Sequence, residues 1–229
     1  MADRGAATQA LELAGERLLL RGDRTLLWPR RRTLLLADPH FGKGEVFRRH
    51  GIALPAGATA RDLDGLATAV AATGAERVVV LGDFFHAPPA ADAPWLAELR
   101  AWRRRHAALS LEVVAGNHDR GAGAPDPRWR LQWHAAPLWE PPLCLCHEPD
   151  TALPGGPFLA GHLHPVVRLR GGGDRLRLPV FWQRDDGLVL PAFGSLTGGH
   201  PVRRGRGEAL FAAGGDGVVQ CAPGVSASG

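Results

Sequence analysis

The sequence predicts an α/β fold in which two sheets face each other between layers of helix, a four-layer α-β-β-α sandwich. Short apolar runs alternate with amphipathic helical segments in the N-terminal half of the chain, whereas the C-terminal half is rich in strand-like segments. Five of the apolar runs end in a cluster of polar residues, and in α/β folds ligands bind at the carboxyl ends of strands. These clusters can therefore meet at one place.

Local signals define each element of the N-terminal half. Gly22-Asp23 separates two short apolar runs, which is typical of a β-hairpin. Thr59 precedes a stretch of helical apolar spacing and is a plausible N-cap, and Pro94 suits the first turn of a second helix. The predicted elements are hairpin strands at 17–21 and 25–28, strands at 33–37, 77–81 and 111–115, and helices at 59–73 and 94–109.

The C-terminal half carries only strand signals, and no linker or internal repeat interrupts the chain. We expect a single domain over residues 11–221, with residues 1–10 and the small residues 222–229 weakly ordered. The predicted strands of this half lie at 143–146, 157–160, 166–169, 176–182, 188–192, 209–212 and 218–220.

Composition excludes several classes of protein. The 229 residues are 45% apolar and 22% charged, and no apolar stretch approaches the length of a membrane span. The N-terminus lacks the features of a secretion signal, so we expect a cytoplasmic protein without membrane association. Three cysteines are too few for a disulfide framework. The net charge of +4 comes from arginine, with Lys43 as the single lysine, and is compatible with a phosphate-bearing substrate.

The polar clusters at the strand ends supply a metal-binding set of side chains. Each cluster alone is better explained by a local structural role, such as a turn or a helix N-cap. Together they offer imidazole, carboxylate and amide donors, a mixture that suits Mn²⁺, Fe or Zn²⁺. Seven donors exceed the needs of one ion, and two ions about 3.5–4 Å apart would use them all. The seven are Asp38, His40, Asp83, Asn117, His147, His162 and His164.

In order along the chain, these clusters resemble the motifs of the calcineurin-like metallophosphoesterases. The motifs are Asp38-x-His40, Gly82-Asp83-x-x-His86, Gly116-Asn117-His118-Asp119, His147 and Gly161-His162-x-His164. A narrower resemblance, covering residues 11–212, is to the bacterial ligase-associated DNA damage response endonucleases. It is carried by Ala37–Gly44, Phe47–Ile52, Cys146–Pro149, Gly161–Pro165 and Leu190–Gly199.

The resemblance implies a metal-dependent phosphodiesterase with two divalent ions, Mn²⁺ first among them, and a hydroxide bridging the ions as nucleophile. It implies DNA as a plausible substrate and an association with a DNA ligase and a helicase in DNA repair. The implied ligands of one metal are Asp38, His40, Asp83 and His164, and those of the other are Asp83, Asn117, His147 and His162, so that Asp83 bridges the two.

The leaving oxygen needs a proton, for which His118 is the candidate donor. Asp119 either steers His118 or caps the local backbone as a turn residue, and the sequence favours neither role. Candidate substrate contacts are Lys43, Arg48 and Arg120, each of which is otherwise a solvated charge. His86 is expected near the metals, where it would face the substrate or support a ligand.

Three functions remain open at this point. The leading one is a phosphodiesterase, plausibly a DNA endonuclease. A phosphomonoesterase or a nucleotide pyrophosphatase would use the same metal core. A binding scaffold that has lost catalysis is the alternative from another class, and the complete ligand set argues against it.

Overall fold

The first sheet is formed by strands of the N-terminal part of the chain, several of which are the apolar runs described above. The computed structural model of the chain describes residues 8–122, 125–171, 174–215 and 217–222, without the side chains of 169–175. The strands of this sheet are β1 (Gln9–Leu13), β2 (Glu16–Leu20), β3 (Leu26–Trp28), β4 (Thr33–Ala37), β5 (Arg77–Leu81), β6 (Ser110–Val114) and β7 (Gln132–His134). They lie side by side in chain order. β1 to β4 pair antiparallel, and β4 to β7 pair parallel.

In the described part of the chain, three α-helices connect strands of the first sheet, and two of them cover its outer face. The helices are α1 (Lys43–Arg49), α2 (Ala58–Thr73) and α3 (Pro94–Arg105). Leu63 and Leu66 of α2 and Leu99 of α3 pack on alternate residues of the buried strands, such as Leu34 and Val78. Because strand side chains alternate between faces, the other residues of these strands are free to face the second sheet.

The second sheet is built by the C-terminal half. Its strands are β8 (Leu138–Glu140), β9 (Leu143–Leu145), β10 (Phe158–Ala160), β11 (Pro165–Gly171), β12 (Asp174–Arg184), β13 (Gly187–Val189), β14 (His200–Pro201), β15 (Ala209–Gly214) and β16 (Gly217–Gln220). The spatial order is β14-β11-β12-β13-β10-β9-β8, and β15 pairs with both β12 and β16. β10 is parallel to β9 and to β13.

The main core lies between the sheets. Leu35 and Val79 of the first sheet pack with Leu145, Leu159 and Leu188 of the second, and all five are fully buried. The predicted α/β fold with facing sheets is therefore confirmed. On the far side of the second sheet, a single turn of 3-10 helix, Pro149–Thr151, leads into Ala152, which packs against Cys144 of β9 and Phe158 of β10.

Several predicted boundaries need correction. Gly57, not Thr59, is the N-cap of α2, and the Thr59 hydroxyl instead accepts a hydrogen bond from the Gly42 N–H. The helix predicted at 94–109, α3, ends at Arg105. The Arg103 guanidinium donates hydrogen bonds to the carbonyls of His106 and Leu109, which hold residues 106–109 in a turn. β1 begins at Gln9, inside the segment 1–10 for which weak order is predicted. Residues 1–7 and 223–229 lie outside the described residues.

The carboxyl ends of strands from both sheets meet at one edge of the sandwich. Ala37, the last residue of β4, forms a parallel bridge to Ala192, which follows β13. The Phe193 N–H donates to the Ala37 carbonyl at 2.8 Å, which fastens the sheets together there. Every predicted metal ligand follows a strand that ends at this edge. Within the described residues, no helix is long and apolar enough to cross a membrane.

Candidate metal centre

The loops that follow β4, β5 and β10 hold the candidate ligands in an unusual backbone conformation. Non-glycine residues rarely adopt a positive φ, and it persists only where the surrounding structure imposes it. Such residues cluster at functional sites. Five of the predicted ligands have φ between 45° and 69°, namely Asp38, His40, Asp83, His162 and His164.

Two glycines provide the space in which ligands from different strands approach each other. A Cβ atom on Gly82 would lie 1.9 Å from Nδ1 of His147, and one on Gly116 would lie 2.3 Å from Oδ1 of Asp83. Both contacts are far shorter than atoms tolerate. The glycines of the sequence motifs are therefore required by the packing of the neighbouring ligands against the backbone.

Gly82→Ala is expected to lower the free energy of unfolding by about 3 kcal/mol, because φ is +80° and the new methyl group meets the His147 ring. Gly74→Ala is the matched control. Gly74 also has a positive φ, +62°, but a Cβ atom added there would have no other atom within 4 Å. Urea unfolding in EDTA measures the free energy of unfolding of both variants. Equal losses for the two variants would show that the crowding against His147 has no energetic consequence.

The first group of candidate ligands lies around Asp38. One side-chain donor atom from each of Asp38, His40, Asp83 and His164 falls within 4.8 Å of the others. Nε2 of His164 is 3.4 Å from Oδ1 of Asp38, and Nε2 of His40 is 3.6 Å from Oδ2 of Asp83. Ligands that share one ion at about 2.0–2.2 Å have separations of this size.

Three atoms of this first group are buried without a hydrogen-bond partner: Oδ1 of Asp38, Nε2 of His40 and Nε2 of His164. An unsatisfied buried polar atom is costly and requires an explanation. Burial, together with the nearby Lys43 and histidines, lowers the pKa of His40 to about 2, so its imidazole is neutral at physiological pH. A neutral imidazole with a free nitrogen is ready to bind a cation.

The second group converges on Nε2 of His147. This atom is 3.0 Å from Oδ1 of Asn117, 3.2 Å from Nδ1 of His162 and 3.4 Å from Oδ1 of Asp83. Four donor atoms from four separate loops thus point toward one another. Their chemistry, two imidazoles with a carboxylate and an amide oxygen, suits a divalent transition-metal ion.

Asp83 connects the two groups. Its Oδ2 faces His40 of the first group, and its Oδ1 faces His147 of the second. Burial raises the pKa of the Asp83 carboxyl, an effect that the nearby His147 and a backbone hydrogen bond from His118 oppose. A buried carboxylate with an oxygen toward each group has the arrangement of a bridge between two cations.

Backbone groups orient the ligands. Nδ1 of His147 lies 3.1 Å from the Leu81 carbonyl, which can only accept, so Nδ1 carries the hydrogen and Nε2 is left to bind. The His162 N–H donates to Oδ2 of Asp38 at 2.9 Å, which leaves Oδ1 of Asp38 free. Contacts of this kind fix the orientation of metal-binding side chains. Sequence reasoning missed them because a backbone contact requires no particular residue type.

Comparison with known proteins places the chain in a family. No protein-family model matches it, and no curated protein matches its sequence. Among solved structures it is similar to a nuclease, MPE, from Pseudomonas putida, at 39% sequence identity and a TM-score of 0.80. The match covers 90% of this chain and 97% of the other. The chain belongs to the metallophosphoesterase family. It is a phosphoesterase-type hydrolase.

Two more distant structures are also similar to this metallophosphoesterase. The Escherichia coli phosphoesterase Yfce shares 18% identity at a TM-score of 0.40, over 79% of this chain and 86% of its own. A conserved protein of Streptococcus pneumoniae TIGR4, described as a phosphoesterase, shares 17% identity at a TM-score of 0.30, over 79% and 81%. Identities and TM-scores this low carry no inference about the chain.

In this metallophosphoesterase, His118 is held by His86 rather than by Asp119. Nδ1 of His118 donates to the His86 carbonyl at 2.7 Å, so Nε2 faces the metal centre, 4.0 Å from Oδ2 of Asp83. The His118 side chain is 38% exposed and can reach a bound substrate. The His86 ring stacks on His118 and contacts His40, and burial lowers the pKa of His86 to about 4.

Asp119 has the second of its two predicted roles. Its carboxylate accepts backbone hydrogen bonds from Gly116 at 2.9 Å, from Phe84 at 3.1 Å and from Phe85 at 2.9 Å. Both oxygens are thus occupied in tying the loop after β5 to the loop after β6. The predicted steering of His118 by Asp119 is wrong, since the carboxylate is directed into the backbone and not at the imidazole.

Of the candidate substrate contacts, Lys43 lies beside a candidate ligand, whereas Arg48 and Arg120 are bonded to other groups. Lys43 lines a crevice with His40, and burial lowers the pKa of its ammonium while the charges of Asp38 and Asp83 oppose that shift. Arg120 pairs with Glu148 at the surface. Arg48 donates to the Pro55 carbonyl at 3.4 Å. Within the described residues, neither arginine contacts a candidate ligand.

Proposed function

We propose that this protein is a two-metal phosphodiesterase that hydrolyses phosphodiester bonds of nucleic acid. The observation that carries this proposal is the position of Asp83, whose two carboxylate oxygens face separate groups of ligands. One bridging carboxylate between two sets of imidazole and oxygen donors is the arrangement of binuclear phosphoesterases. A single ion held by four of the seven donors would leave the other three unused.

The first ion would be held by Asp38, His40, Asp83 and His164. The second would be held by Asp83, Asn117, His147 and His162. When bound, the two cations would lower the pKa of a water molecule and would stabilise the negative charge of the phosphate oxygens. The donor set contains four imidazoles, two carboxylates and an amide, which suits Mn²⁺, Fe²⁺ or Zn²⁺. Among these, Mn²⁺ is proposed first on the family resemblance.

The protein's own residues would handle the proton and the phosphate. Attack of water on phosphorus breaks the bond to the leaving oxygen, which then needs a proton. His118 would donate it from Nε2 in its doubly protonated form, because the His86 carbonyl accepts the hydrogen of Nδ1 and Nε2 is then directed toward the centre. Lys43, at the start of α1, would contact a phosphate oxygen. The negative charges of Asp38 and Asp83 act on its ammonium and oppose the lowering of its pKa by burial.

We also propose DNA as the nucleic acid and DNA repair as the setting. The support is the resemblance of segments such as Leu190–Gly199 to the ligase-associated endonucleases. The similarity to a nuclease from Pseudomonas putida agrees with it. Association with a DNA ligase and a helicase follows from the same resemblance and can be tested by co-purification with those two enzymes.

A substrate panel tests the proposed activity. The Mn²⁺-loaded protein is expected to hydrolyse a small diester, bis(p-nitrophenyl) phosphate, and to cleave single-stranded, nicked or duplex DNA. It should hydrolyse the monoester p-nitrophenyl phosphate more slowly. Faster monoester hydrolysis would identify a phosphomonoesterase instead. Absence of hydrolysis with every ester after loading with Mn²⁺, Fe²⁺ or Zn²⁺ would identify a binding scaffold.

A further inference from the structure

The hairpin formed by β11 and β12 places arginines directly opposite each other. The register pairs Arg168 with Arg177, and two residues farther along it pairs Arg170 with Arg175. Like charges at directly opposite positions of an antiparallel pair are destabilising. The arginines repeat at alternate residues, as Arg-x-Arg, on both strands.

Arg168 and Arg177, which are directly opposite each other, share one face of the hairpin. Positions two residues apart point to the same side, about 6.8 Å apart along a strand. Val167 and Leu178 point to the opposite side and are packed in a small core. Arg168 and Arg177 are exposed. The face that carries Arg168 and Arg177, here called the arginine face, is thus exposed to solvent, and on it the Arg177 guanidinium donates a hydrogen bond to the Gly199 carbonyl.

This face leads to the metal centre. Arg177 and its neighbours on the same face, Val166 and Pro179, line a cavity of about 150 Å³ whose wall also includes His164. His164 is a candidate ligand of the first metal and directly precedes β11. The cavity and the hairpin face therefore form one continuous surface that extends from the metal centre.

Further groups in the cavity also suit an anion. Arg24 contributes its guanidinium from the turn between β2 and β3 and donates one hydrogen bond, to the Ala192 carbonyl at 3.3 Å. Burial lowers the pKa of Arg24, while Asp62 and Asp23 oppose that shift. The hydroxyl oxygen of Thr197, another wall residue, is buried without a hydrogen-bond partner. A donor and two guanidinium groups thus border one small space.

We infer that the cavity and the arginine face bind the phosphates that flank the scissile phosphate in a polynucleotide strand. The inference rests on the proposed phosphodiesterase function. Arg168 and Arg177, together with Arg24 in the cavity, place three guanidinium groups on one continuous surface. Several cations on one surface match a ligand with repeated negative charge, and phosphate contacts position a nucleic acid without reading its sequence. A small diester has no flanking phosphates, so this surface favours polynucleotides over small diesters.

Binding without cleavage tests the inference directly. Fluorescence anisotropy with a labelled 20-nucleotide single strand in EDTA compares the wild-type protein with Arg168→Ala/Arg177→Ala. Two lost phosphate contacts predict roughly 25-fold weaker binding at 0.1 M salt. They also predict that the slope of log K against log salt becomes shallower by about 1.4. Arg168→Lys/Arg177→Lys keeps both charges and should retain most of the affinity and the slope.

The matched control is Arg104→Ala/Arg105→Ala, which removes the same charge from two exposed positions at the end of α3. If Arg168→Ala/Arg177→Ala binds the strand as tightly as this control does, the inference is wrong. The arginine face would then bind some other anionic partner. Thermal unfolding shows whether each variant folds. If wild-type protein loaded with Mn²⁺ fails to hydrolyse bis(p-nitrophenyl) phosphate, the proposed function fails, whatever the binding result.

A kinetic comparison separates polynucleotides from small diesters. In the Mn²⁺-loaded enzyme, Arg168→Ala/Arg177→Ala is expected to raise KM for the oligonucleotide by more than tenfold relative to the change in KM for bis(p-nitrophenyl) phosphate. Equal changes for both substrates would contradict the inference, since a surface that holds flanking phosphates cannot act on a substrate that has none.

Discussion

Replacing Asp83 with asparagine is expected to abolish binding of both metals and to lower hydrolysis of a small diester by roughly 10³-fold. Asparagine keeps the shape of the side chain but removes the negative charge that faces both groups of ligands. The cations contribute several kcal/mol of charge stabilisation in the transition state. A loss of about 4 kcal/mol corresponds to three orders of magnitude in rate.

Metal content per chain, measured after Mn²⁺ loading and gel filtration, checks the stoichiometry. Two ions are expected for the wild-type protein and fewer than one for Asp83→Asn. Asp64→Asn is the matched control, because Asp64 is exposed on α2. Two ions retained by Asp83→Asn would exclude a bridging role for Asp83.

Thermal unfolding of the same variant separates a metal effect from a folding defect. Mn²⁺ should raise the unfolding temperature of the wild-type protein, since a ligand that binds only the folded state stabilises it. Asp83→Asn should show no such rise. In EDTA, the variant should unfold at the same temperature as the wild type or higher, because the burial that raises the pKa of Asp83 disfavours its charged form.

Replacing His118 with alanine is expected to slow hydrolysis of diesters with poor leaving groups by about 10²–10⁴-fold. A leaving alkoxide needs the proton that Nε2 of His118 would supply, whereas p-nitrophenolate leaves without one. The expected loss for bis(p-nitrophenyl) phosphate is therefore less than about tenfold. Metal content should stay at two ions, because His118 belongs to neither proposed ligand set.

The measurement is a plot of log kcat against the pKa of the leaving group, which should become steeper in His118→Ala. His50→Ala serves as the control, since the His50 ring is exposed and its Nδ1 contacts only the Val46 carbonyl within α1's last turn. Parallel plots for wild type and His118→Ala would show that His118 does not donate the proton.

Local patterns in the sequence predicted much of this molecule. The strands at 33–37 and 77–81 have the bounds that their apolar runs indicated. A strand that is buried on both faces consists of consecutive apolar residues, and such a run can be recognised in the sequence. The seven candidate ligands were identified as polar residues that follow such runs. Their residue types already indicated the class of metal, since donor chemistry depends on the side chain and not on its position.

Tertiary structure decided how these residues are used. Asp119 and Asp83 are both aspartates after apolar runs, yet one binds three backbone N–H groups and the other faces two sets of ligands. The arginine face became significant once the register of β11 and β12 paired Arg168 with Arg177 beside His164. Such contacts join residues distant in the chain, and they depend on strand pairing and sheet packing, which local periodicity does not specify.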